Sequence, residues 1–320
     1  MPLRIFAFLI LAAGVRAEVV SRAQLEAQAR ALRELVESSP RLPLQRMTLP
    51  VKPAAVDWAI DMVSSVAVDR SGLIYAFQRG PKADPVLVID KSGNVVRSFG
   101  RGLYKIPHSV RIDPDGNVWT VDANSSMVYK HSPEGTKLME IAVGGQPTNH
   151  RSEFRGTTDI CFAPGGRIFI SDGYANARIL EYTGEGKRVR EWGKPGKGPG
   201  EFHLPHGIAV DRQGTLYVAD RENGRIQRFD LDGKFLGEWN HLGKTFSITM
   251  TSTGDLWIGT QPRTSPNTAA GWLMKLDRKT GKILGYVDSS GLHSVDQIAP
   301  GEPVTGTRPD DLLWFRPARR

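Results

Sequence analysis

A strand pattern that recurs six times is the feature that most limits the folds open to this 320-residue chain. Its clearest copy, residues 205–239, contains four short β-runs separated by Asp/Gly turns. From Asp69 to Ala299, which end the first strands of the first and last copies, five intervals span 230 residues, a mean of 46. The copies begin at Ser64, His108, Thr158, His206, Phe246 and His293.

A period in the forties with four strands in each unit is typical of β-propeller blades. The sequence therefore predicts an all-β fold, a six-bladed β-propeller over residues 53–320. A solenoid is the alternative, but it would need polar capping units, and the sequence offers none. The last copy has three evident strands, and we expect residues 51–60 to supply the fourth and so close the ring.

Residues 1–52 precede the repeat and divide into two parts. Residues 1–17 combine a basic start, a short apolar run and a small-residue cleavage site, which predicts a signal peptide and an exported chain, periplasmic or secreted. Residues 18–52 predict a short N-terminal helix and a linker, with Ser21 and Gln24 as a capping box. No later stretch is apolar enough to cross a bilayer, so stable membrane insertion is not expected.

The charge distribution narrows the class of partner. The net charge is +8, or +6 once Arg4 and Arg16 leave with the signal (8 − 2 = 6), and the basic residues are scattered through turns. No nucleic-acid-binding motif is present, so nucleic acid is not an expected partner, whereas a small anionic substrate is. A single cysteine, Cys161, excludes an intramolecular disulfide, and its apolar strand predicts a core position.

Three of the seven histidines occupy one repeat position, the start of the first strand, in the second, fourth and sixth copies. In a closed ring, side chains at one position of alternate blades point toward the ring axis. Three neutral imidazoles meeting there can bind zinc and leave a fourth position open. The sequence therefore predicts a zinc site at His108, His206 and His293. We expect the other four histidines to be surface or turn residues: His131, His150, His203 and His241.

The ends of the second strands reach the same face as these histidines, because neighbouring strands of a blade are antiparallel. They carry Arg79, Tyr174, Arg221 and Arg308. Arginine can bind a carboxylate through two hydrogen bonds, and a tyrosine beside a metal ion and arginines can act as a base. The expected substrate is a small carboxylic acid with a hydroxyl or carbonyl group nearby. The alternative is that the arginines are solvated or ion-paired, and that Asp220 and Asn223 only stabilise their blade.

Several strings go beyond a general repeat pattern. The most specific are residues 107–110 (PHSV), 171–174 (SDGY), 204–206 (LPH) and 220–227 (DRENGRIQ). The repeat units resemble NHL repeats, and these strings resemble peptidyl-α-hydroxyglycine α-amidating lyase (peptidylamidoglycolate lyase). The resemblance covers roughly residues 60–310.

The resemblance implies a carbon–nitrogen lyase in which His108, His206 and His293 hold a catalytic zinc ion. By the same resemblance, Tyr174 is the catalytic tyrosine, and Arg79 and Arg221 are the active-site arginines. The tyrosine would take the proton of the substrate hydroxyl, zinc would stabilise the oxyanion, and the C–N bond would break. The products would be a peptide amide and glyoxylate.

The resemblance also implies a structural calcium ion in the channel, held partly by backbone carbonyls near Val66 and Val110. In the family an aspartate follows the third histidine and is a further calcium ligand. Ser294 stands there in this chain. A hydroxyl carries no charge, so the substitution removes part of the anionic oxygen shell that calcium favours.

Three other functions remain open. One is a non-catalytic NHL propeller that binds a protein or peptide partner on this face, and metal content would separate it from a lyase. Another is a calcium-dependent hydrolase of the lactonase kind, which ranks lower because its metal would need carboxylates and amides where this repeat supplies histidines. The last is a structural scaffold. The sequence does not indicate an oligomeric state.

Overall fold

Six four-stranded antiparallel sheets form the blades of a ring in the computed structural model, which confirms the predicted six-bladed β-propeller. The structure describes residues 20–52, 57–144, 154–174, 176–307 and 312–318. Within these ranges there is one α-helix, α1 (Arg22–Glu37), and it lies near the start of the chain as predicted.

Each blade runs from an inner strand at the channel to an outer strand at the rim. Strand β1 (Leu44–Leu49) comes first in the chain. Blade 1 consists of β2 (Val63–Val68), β3 (Ile74–Gln78), β4 (Val86–Ile89) and β5 (Val95–Phe99). Blade 2 consists of β6 (Pro107–Ile112), β7 (Val118–Asp122), β8 (Met127–His131) and β9 (Lys137–Ala142). Blade 3 consists of β10 (Asp159–Ala163), β11 (Arg167–Asp172), β12 (Arg178–Tyr182) and β13 (Arg188–Trp192), with a 3-10 turn at Pro164–Gly166.

The second half of the ring follows the same order. The short parallel pair β14 (Lys194–Pro195) and β15 (Glu201–Phe202) precedes blade 4. Blade 4 consists of β16 (Pro205–Val210), β17 (Leu216–Asp220), β18 (Arg225–Phe229) and β19 (Phe235–Trp239). Blade 5 consists of β20 (Lys244–Met250), β21 (Leu256–Gln261), β22 (Gly271–Leu276) and β23 (Ile283–Ser289). Blade 6 consists of β24 (Asp296–Ala299), β25 (Glu302–Gly306), β26 (Leu312–Pro317) and, from the start of the chain, β1.

The ring closes through β1, which pairs with β26 along six residues, from Leu44 opposite Pro317 to Leu49 opposite Leu312. The prediction that residues 51–60 supply this strand is therefore wrong, and the propeller begins before residue 53. The physical reason is that Pro50 directly precedes the predicted segment and Pro53 lies within it, and a proline lacks the N–H group that a sheet ladder needs. Residues 53–56 lie outside the described ranges.

The Asp/Gly turns that mark the repeat have one local cause. In blade 2, Asp113 Oδ1 accepts hydrogen bonds from the backbone N–H groups of Asp115 and Asn117. Gly116 completes the turn at φ 92°, a conformation that side chains disfavour. These local bonds fix the hairpin between the first two strands and hence the register of the blade.

Helix α1 begins at the predicted capping box, in which the Ser21 hydroxyl and the Gln24 side chain bond each other's backbone N–H groups. Its buried face carries Leu32 and Val36, which join a core cluster with Trp239 and Leu242. Among the described residues, no helix is both long enough and apolar enough to span a bilayer. The predicted signal peptide, residues 1–17, lies outside the described ranges.

Two single-residue predictions have opposite outcomes. Cys161 is a free, buried thiol in the core between blades 3 and 4, and its core position was predicted. His131 was expected on the surface, and this is wrong: the side chain is 1% exposed in β8 and packs 5.2 Å from the ring of Phe99. The physical reason is its position at the end of the third strand of blade 2, where neighbouring aromatic rings cover the imidazole although histidine is a polar residue type. His203 and His241 are exposed as predicted, and His150 lies outside the described ranges.

Candidate metal centre

His108, His206 and His293 meet at one end of the channel, as predicted. Their ring centroids are 5.0 Å apart for His108 and His206, 4.5 Å for His108 and His293, and 4.8 Å for His206 and His293. One nitrogen from each ring lies within 4.8 Å of the other two. The repeat produces this convergence, because His108 and His206 lie at the start of β6 and β16, and His293 occupies the matching position before β24.

The blades without a histidine hold the imidazoles in place. His108 Nδ1 lies 2.6 Å from the carbonyl oxygen of Thr158, and His206 Nδ1 lies 2.6 Å from that of Phe246. His293 Nδ1 lies 2.7 Å from the carbonyl oxygen of Ser64. A carbonyl oxygen only accepts, so each Nδ1 carries the proton and each Nε2 keeps its lone pair. This is the orientation that metal-binding histidines require, and the three residues fit a zinc ion.

Burial keeps the imidazoles of His108 and His206 neutral. His108 and His206 are each 2% exposed. Burial, followed by the neighbouring His293 and His206, holds the pKa of His108 well below its usual value. Burial, followed by the charge of Arg221, does the same for the pKa of His206. Neutral imidazoles are the form that binds a metal ion.

Tyr174 reaches the centre of the site from blade 3. Its hydroxyl lies 2.8 Å from His108 Nε2 and 3.1 Å from His206 Nε2. The phenol oxygen therefore lies beside two of the three nitrogens that would face a metal ion. A substrate oxygen bound to that ion would lie close to this phenol.

The string SDGY explains why Tyr174 reaches this far. Asp172, at the end of β11, is ion-paired with Arg178 Nε at 2.8 Å and fixes the following turn. A Cβ atom at Gly173 would lie 2.0 Å from the carbonyl oxygen of Pro205, so only glycine allows the chain to pass this close to blade 4. The turn thus places the next side chain over the histidines.

Two predicted arginines lie on the same face. Arg79 Nε donates to the carbonyl of Pro107 at 2.8 Å, and its guanidinium lies 5.3 Å from the ring of Phe154. Arg221 is 6% exposed, and its guanidinium lies 5.8 Å from the ring of Tyr174. The structure thus brings both arginines to the tyrosine and the histidines. Arg308, the other predicted arginine, lies outside the described ranges.

Sequence reasoning missed an acid–base pair behind Arg221. Glu222 Oε1 lies 2.9 Å from Arg221 Nε, and Glu222 Oε2 lies 3.4 Å from Lys244 Nζ. Burial favours the neutral acid, but Arg221 and Lys244 outweigh it and hold the pKa of Glu222 below its usual value. Glu222 lay within the string DRENGRIQ, which was the available signal. Lys244 lies in blade 5 and has no repeat counterpart that would have marked it.

Asp220 and Asn223 serve the blade and not the site. Asp220 Oδ2 accepts from Asn223 Nδ2 at 2.8 Å and from Arg225 Nε at 2.8 Å. The carboxylate is fully buried and closes the loop that carries Arg221. This agrees with the structural alternative considered for these two residues.

The predicted calcium position lies along the inner strands. The Val66 N–H group donates to Ser294 Oγ at 3.0 Å, and the Val110 N–H group donates to Ser65 Oγ at 3.1 Å. Neither contact identifies an ion, so calcium at Val66 and Val110 stays a prediction at this point.

Comparisons with known proteins agree with the fold and with the lyase resemblance. A family model described as a 6-bladed beta-propeller matches residues 137–294. The chain is 36% identical over 212 residues to a peptidylglycine alpha-amidating monooxygenase of Rattus norvegicus, which is 56% of this chain and 22% of that protein. It is 30% identical over 195 residues to a probable peptidyl-alpha-hydroxyglycine alpha-amidating lyase of Caenorhabditis elegans, which is 53% of this chain and 56% of that protein.

Two further similarities extend over more of the chain. NHL repeat-containing protein 3 of Homo sapiens is 26% identical over 275 residues, which is 73% of this chain and 78% of that protein. A solved streptogramin B lyase has a TM-score of 0.60 at 15% identity, over 85% of this chain and 97% of that structure, and this likeness concerns the fold alone. The chain spans about a fifth of the length of the rat monooxygenase and just over half of the nematode lyase.

Proposed function

We propose that this six-bladed propeller, with relatives among the peptidyl-α-hydroxyglycine α-amidating lyases, is a zinc-dependent carbon–nitrogen lyase. Its substrate would be a small, peptide-derived carboxylate of the α-hydroxyglycine type, cleaved to an amide and glyoxylate. One observation carries the proposal: a tyrosine hydroxyl lies within 3.1 Å of two Nε2 atoms in a triad whose Nδ1 atoms are bonded to backbone carbonyls.

The Nε2 atoms of His108, His206 and His293 would hold the zinc ion. When bound, zinc acts as a Lewis acid toward an oxygen that gains negative charge. The Nδ1–carbonyl bonds hold all three rings with their Nε2 atoms directed toward one point.

Arg79 and Arg221 would bind the substrate carboxylate on the open face of the site. Each can offer two parallel N–H groups to it. The aromatic rings beside them, Phe154 and Phe246, exclude water from the guanidinium faces and strengthen the ion pair with the substrate.

Tyr174 would take the proton of the substrate hydroxyl. The electron pair of that O–H bond becomes the second bond of the product aldehyde, and the C–N bond breaks with its pair going to nitrogen. The proton that Tyr174 accepted would then pass to the amide nitrogen, so that the products are an amide and glyoxylate, the tyrosine returns to its starting state, and atoms and charge balance. The role requires the phenol oxygen close to the bound hydroxyl, which its position beside His108 and His206 supports.

The test is release of glyoxylate from a peptidyl-α-hydroxyglycine by the zinc-loaded protein. Tyr174→Phe should keep zinc and fold yet lose turnover by roughly 10²–10⁴, the size of a general-base contribution. Tyr286→Phe, in β23 at the rim of blade 5, is the matched control and should keep full turnover. Unchanged turnover in Tyr174→Phe would rule out this mechanism.

The alternative is a non-catalytic propeller that binds a protein or peptide, a reading that the match to an NHL repeat-containing protein keeps open. Metal analysis decides between the two: a purified chain that holds no zinc and gains none on titration favours the binder. A lactonase-like hydrolase is disfavoured by the donor set, which consists of imidazoles where that chemistry needs oxygen ligands.

We also propose that the chain is exported, periplasmic or secreted, on the basis of residues 1–17. N-terminal sequencing of the protein recovered from its producing cells should begin at Glu18. Recovery of the uncleaved chain from the cytoplasm would contradict this.

A further inference from the structure

Arg111 lies in the central channel, three residues beyond His108 on β6. It forms a two-pronged ion pair with Asp159 of blade 3. Its Nε donates to Asp159 Oδ1 at 3.0 Å, and its Nη2 donates to Asp159 Oδ2 at 2.6 Å. The two side chains are 13% and 6% exposed, so the pair is largely withdrawn from water.

The same guanidinium crosses the channel. Nη1 donates to Thr249 Oγ1 at 2.9 Å, and Nη2 reaches the carbonyl oxygen of Ile248 at 3.3 Å. Both acceptors belong to blade 5, which is opposite blade 2 in a ring of six. Thr249 Oγ1 in turn donates to the carbonyl oxygen of Val295 in blade 6 at 2.7 Å. The Arg111 side chain thus directly connects blades 2, 3 and 5, and Thr249 extends the hydrogen bonds to blade 6.

Asp159 has little capacity left for another cation. Besides Arg111, its Oδ1 accepts from Ser109 Oγ and from the Ile160 N–H group at 2.9 Å. Its Oδ2 also accepts from the Ile208 N–H group at 3.3 Å. Five donors thus surround one carboxylate, which can accept about four hydrogen bonds along its lone pairs.

A second carboxylate, which is half-buried, lies close to the pair. Asp296 of blade 6 adds to the charge that raises the pKa of Arg111. Its Oδ2 accepts from the Val68 N–H group at 2.7 Å, and its Oδ1 accepts from the Gln297 N–H group at 2.8 Å. The acidic side chains of the channel are therefore directed at a guanidinium and at backbone donors.

These residues do not fit the calcium ion that the family resemblance implies. Calcium takes six to eight oxygen ligands with free lone pairs, several of them carboxylate oxygens. Here the carboxylate beside Val110 is saturated with donors, and a full positive charge already occupies the space next to it. A divalent ion at this point would face a guanidinium within the low-dielectric channel, where charge repulsion is strong.

We propose that the guanidinium of Arg111 takes the place of a channel metal ion, as a built-in cation that binds the blades together. The channel then holds no metal ion, whether or not zinc binds at the three histidines. This inference rests on the channel contacts alone and is independent of the lyase reaction.

The first test is metal stoichiometry. The full chain is equilibrated with zinc and excess calcium, and unbound ions are removed. The metal content per chain is then measured by elemental mass spectrometry. We expect about one zinc and no calcium per chain, and a Tm that does not change when millimolar calcium is added. One tightly bound calcium per wild-type chain would overturn the proposal.

The second test removes the guanidinium. Arg111→Met leaves Asp159 buried without its counter-ion, so Tm should fall in calcium-free buffer. Millimolar calcium should then raise the Tm of this variant, because the carboxylate is released and an ion that binds only the folded state stabilises it. A Tm equal to that of the wild type, or a lowered Tm that calcium does not raise, would contradict the proposal.

Two controls keep the result interpretable. Arg46→Met removes an exposed arginine from β1 and should change neither Tm nor the response to calcium. Arg111→Lys keeps a positive charge and should show a smaller loss of Tm without a calcium response. If Arg111→Met does not fold, the wild-type calcium content and Arg111→Lys still decide, since a calcium response in Arg111→Lys would count against the proposal.

Discussion

At the residue scale, the site depends on one repeat position that has two roles. The position carries histidine in blades 2, 4 and 6, and in blades 1, 3 and 5 the same position offers its backbone carbonyl to the neighbouring imidazole. The histidines could be predicted because side-chain identity is visible in a repeat. Their hydrogen-bond partners could not, since every residue has a carbonyl and only the fold decides which one faces a ring.

The pair Glu222–Lys244 also could not be predicted, because the sequence does not show which distant residues come into contact. The two residues lie 22 positions apart in the sequence, in different blades, and no repeat pattern links them. Their role appears only when blades 4 and 5 are placed side by side. Glu222 then holds the guanidinium of Arg221 toward the open face of the site.

The first prediction concerns Glu222→Gln. Replacing the carboxylate weakens its hold on Arg221, a charged hydrogen bond worth about 1.5–3 kcal/mol. We expect KM for a carboxylate substrate to rise by roughly tenfold, the equivalent of about 1.4 kcal/mol, with kcat changed less. Steady-state kinetics measures the separate effects on KM and kcat. The control is Glu185→Gln, which replaces an exposed acid in a turn of blade 3 and should change neither value. A fall in kcat at constant KM would contradict a positioning role.

The second prediction concerns the buried His131. Burial, with a smaller contribution from Lys137, lowers the pKa of His131 to about 4 from 6.5. Between these two pH values His131 is protonated in the unfolded chain but not in the folded chain. The free energy of unfolding therefore decreases as pH falls from about 6.5 toward 4, by at most about 3 kcal/mol. In His131→Phe the free energy of unfolding should decrease less between the two pH values, because the titrating group is gone. Chemical denaturation of both proteins at pH 7.5 and pH 4.5 measures it, and equal losses in the two proteins would refute the assignment.

At the scale of the element, the sequence identified helix α1 and the number of blades but not the closing strand. The helix was recognisable because its signals are local: a capping box at one end and apolar residues at helical spacing. Strand β1 carries the burial pattern of an outer strand, with four of its six residues exposed, so its apolar signal is weak. Its partner β26 lies more than 260 residues away, and pairing at that range leaves no local trace in the sequence.

The third prediction tests how firmly α1 belongs to the ring. Leu32 is 3% exposed and packs with Trp239 and Leu242, so Leu32→Ala should destabilise the protein by about 2–5 kcal/mol through lost burial and a residual cavity. Arg30→Ala, on the exposed face of the same helix, should have little effect. The free energy of unfolding in urea measures both. Equal stability of Leu32→Ala and the wild type would mean that the helix detaches without cost.

At the scale of the whole molecule, the candidate metal centre brings together side chains from three blades that are not neighbours in the ring. His108, His206 and His293 come from alternate sheets, so an ion bound by all three joins distant parts of the ring. The repeat predicted this, because a regular ring converts equal positions along the chain into equal positions around an axis. What it could not predict was the channel below, where Arg111 and Asp159 break the regularity.

The fourth prediction follows from this arrangement. Removing the metal with a chelator should lower Tm, because binding to the folded state alone contributes about 4 kcal/mol when the ion is present at a thousand times its Kd. The triple variant His108→Ala, His206→Ala, His293→Ala should not respond to the chelator. Differential scanning calorimetry of both proteins with and without chelator checks this. A chelator effect that persists in the triple variant would place the metal elsewhere.

The alternation of imidazole and carbonyl around the hub has a consequence for how such a ring can change. A ring in which blades with and without a histidine alternate can close only if the number of blades is even. Duplication or loss of one unit would place two histidine blades, or two blades without a histidine, next to each other, and the imidazoles would no longer be evenly spaced around the axis. The even number of blades is thus tied to the convergence of the three imidazoles, and we expect viable size variants of this protein to gain or lose units in pairs.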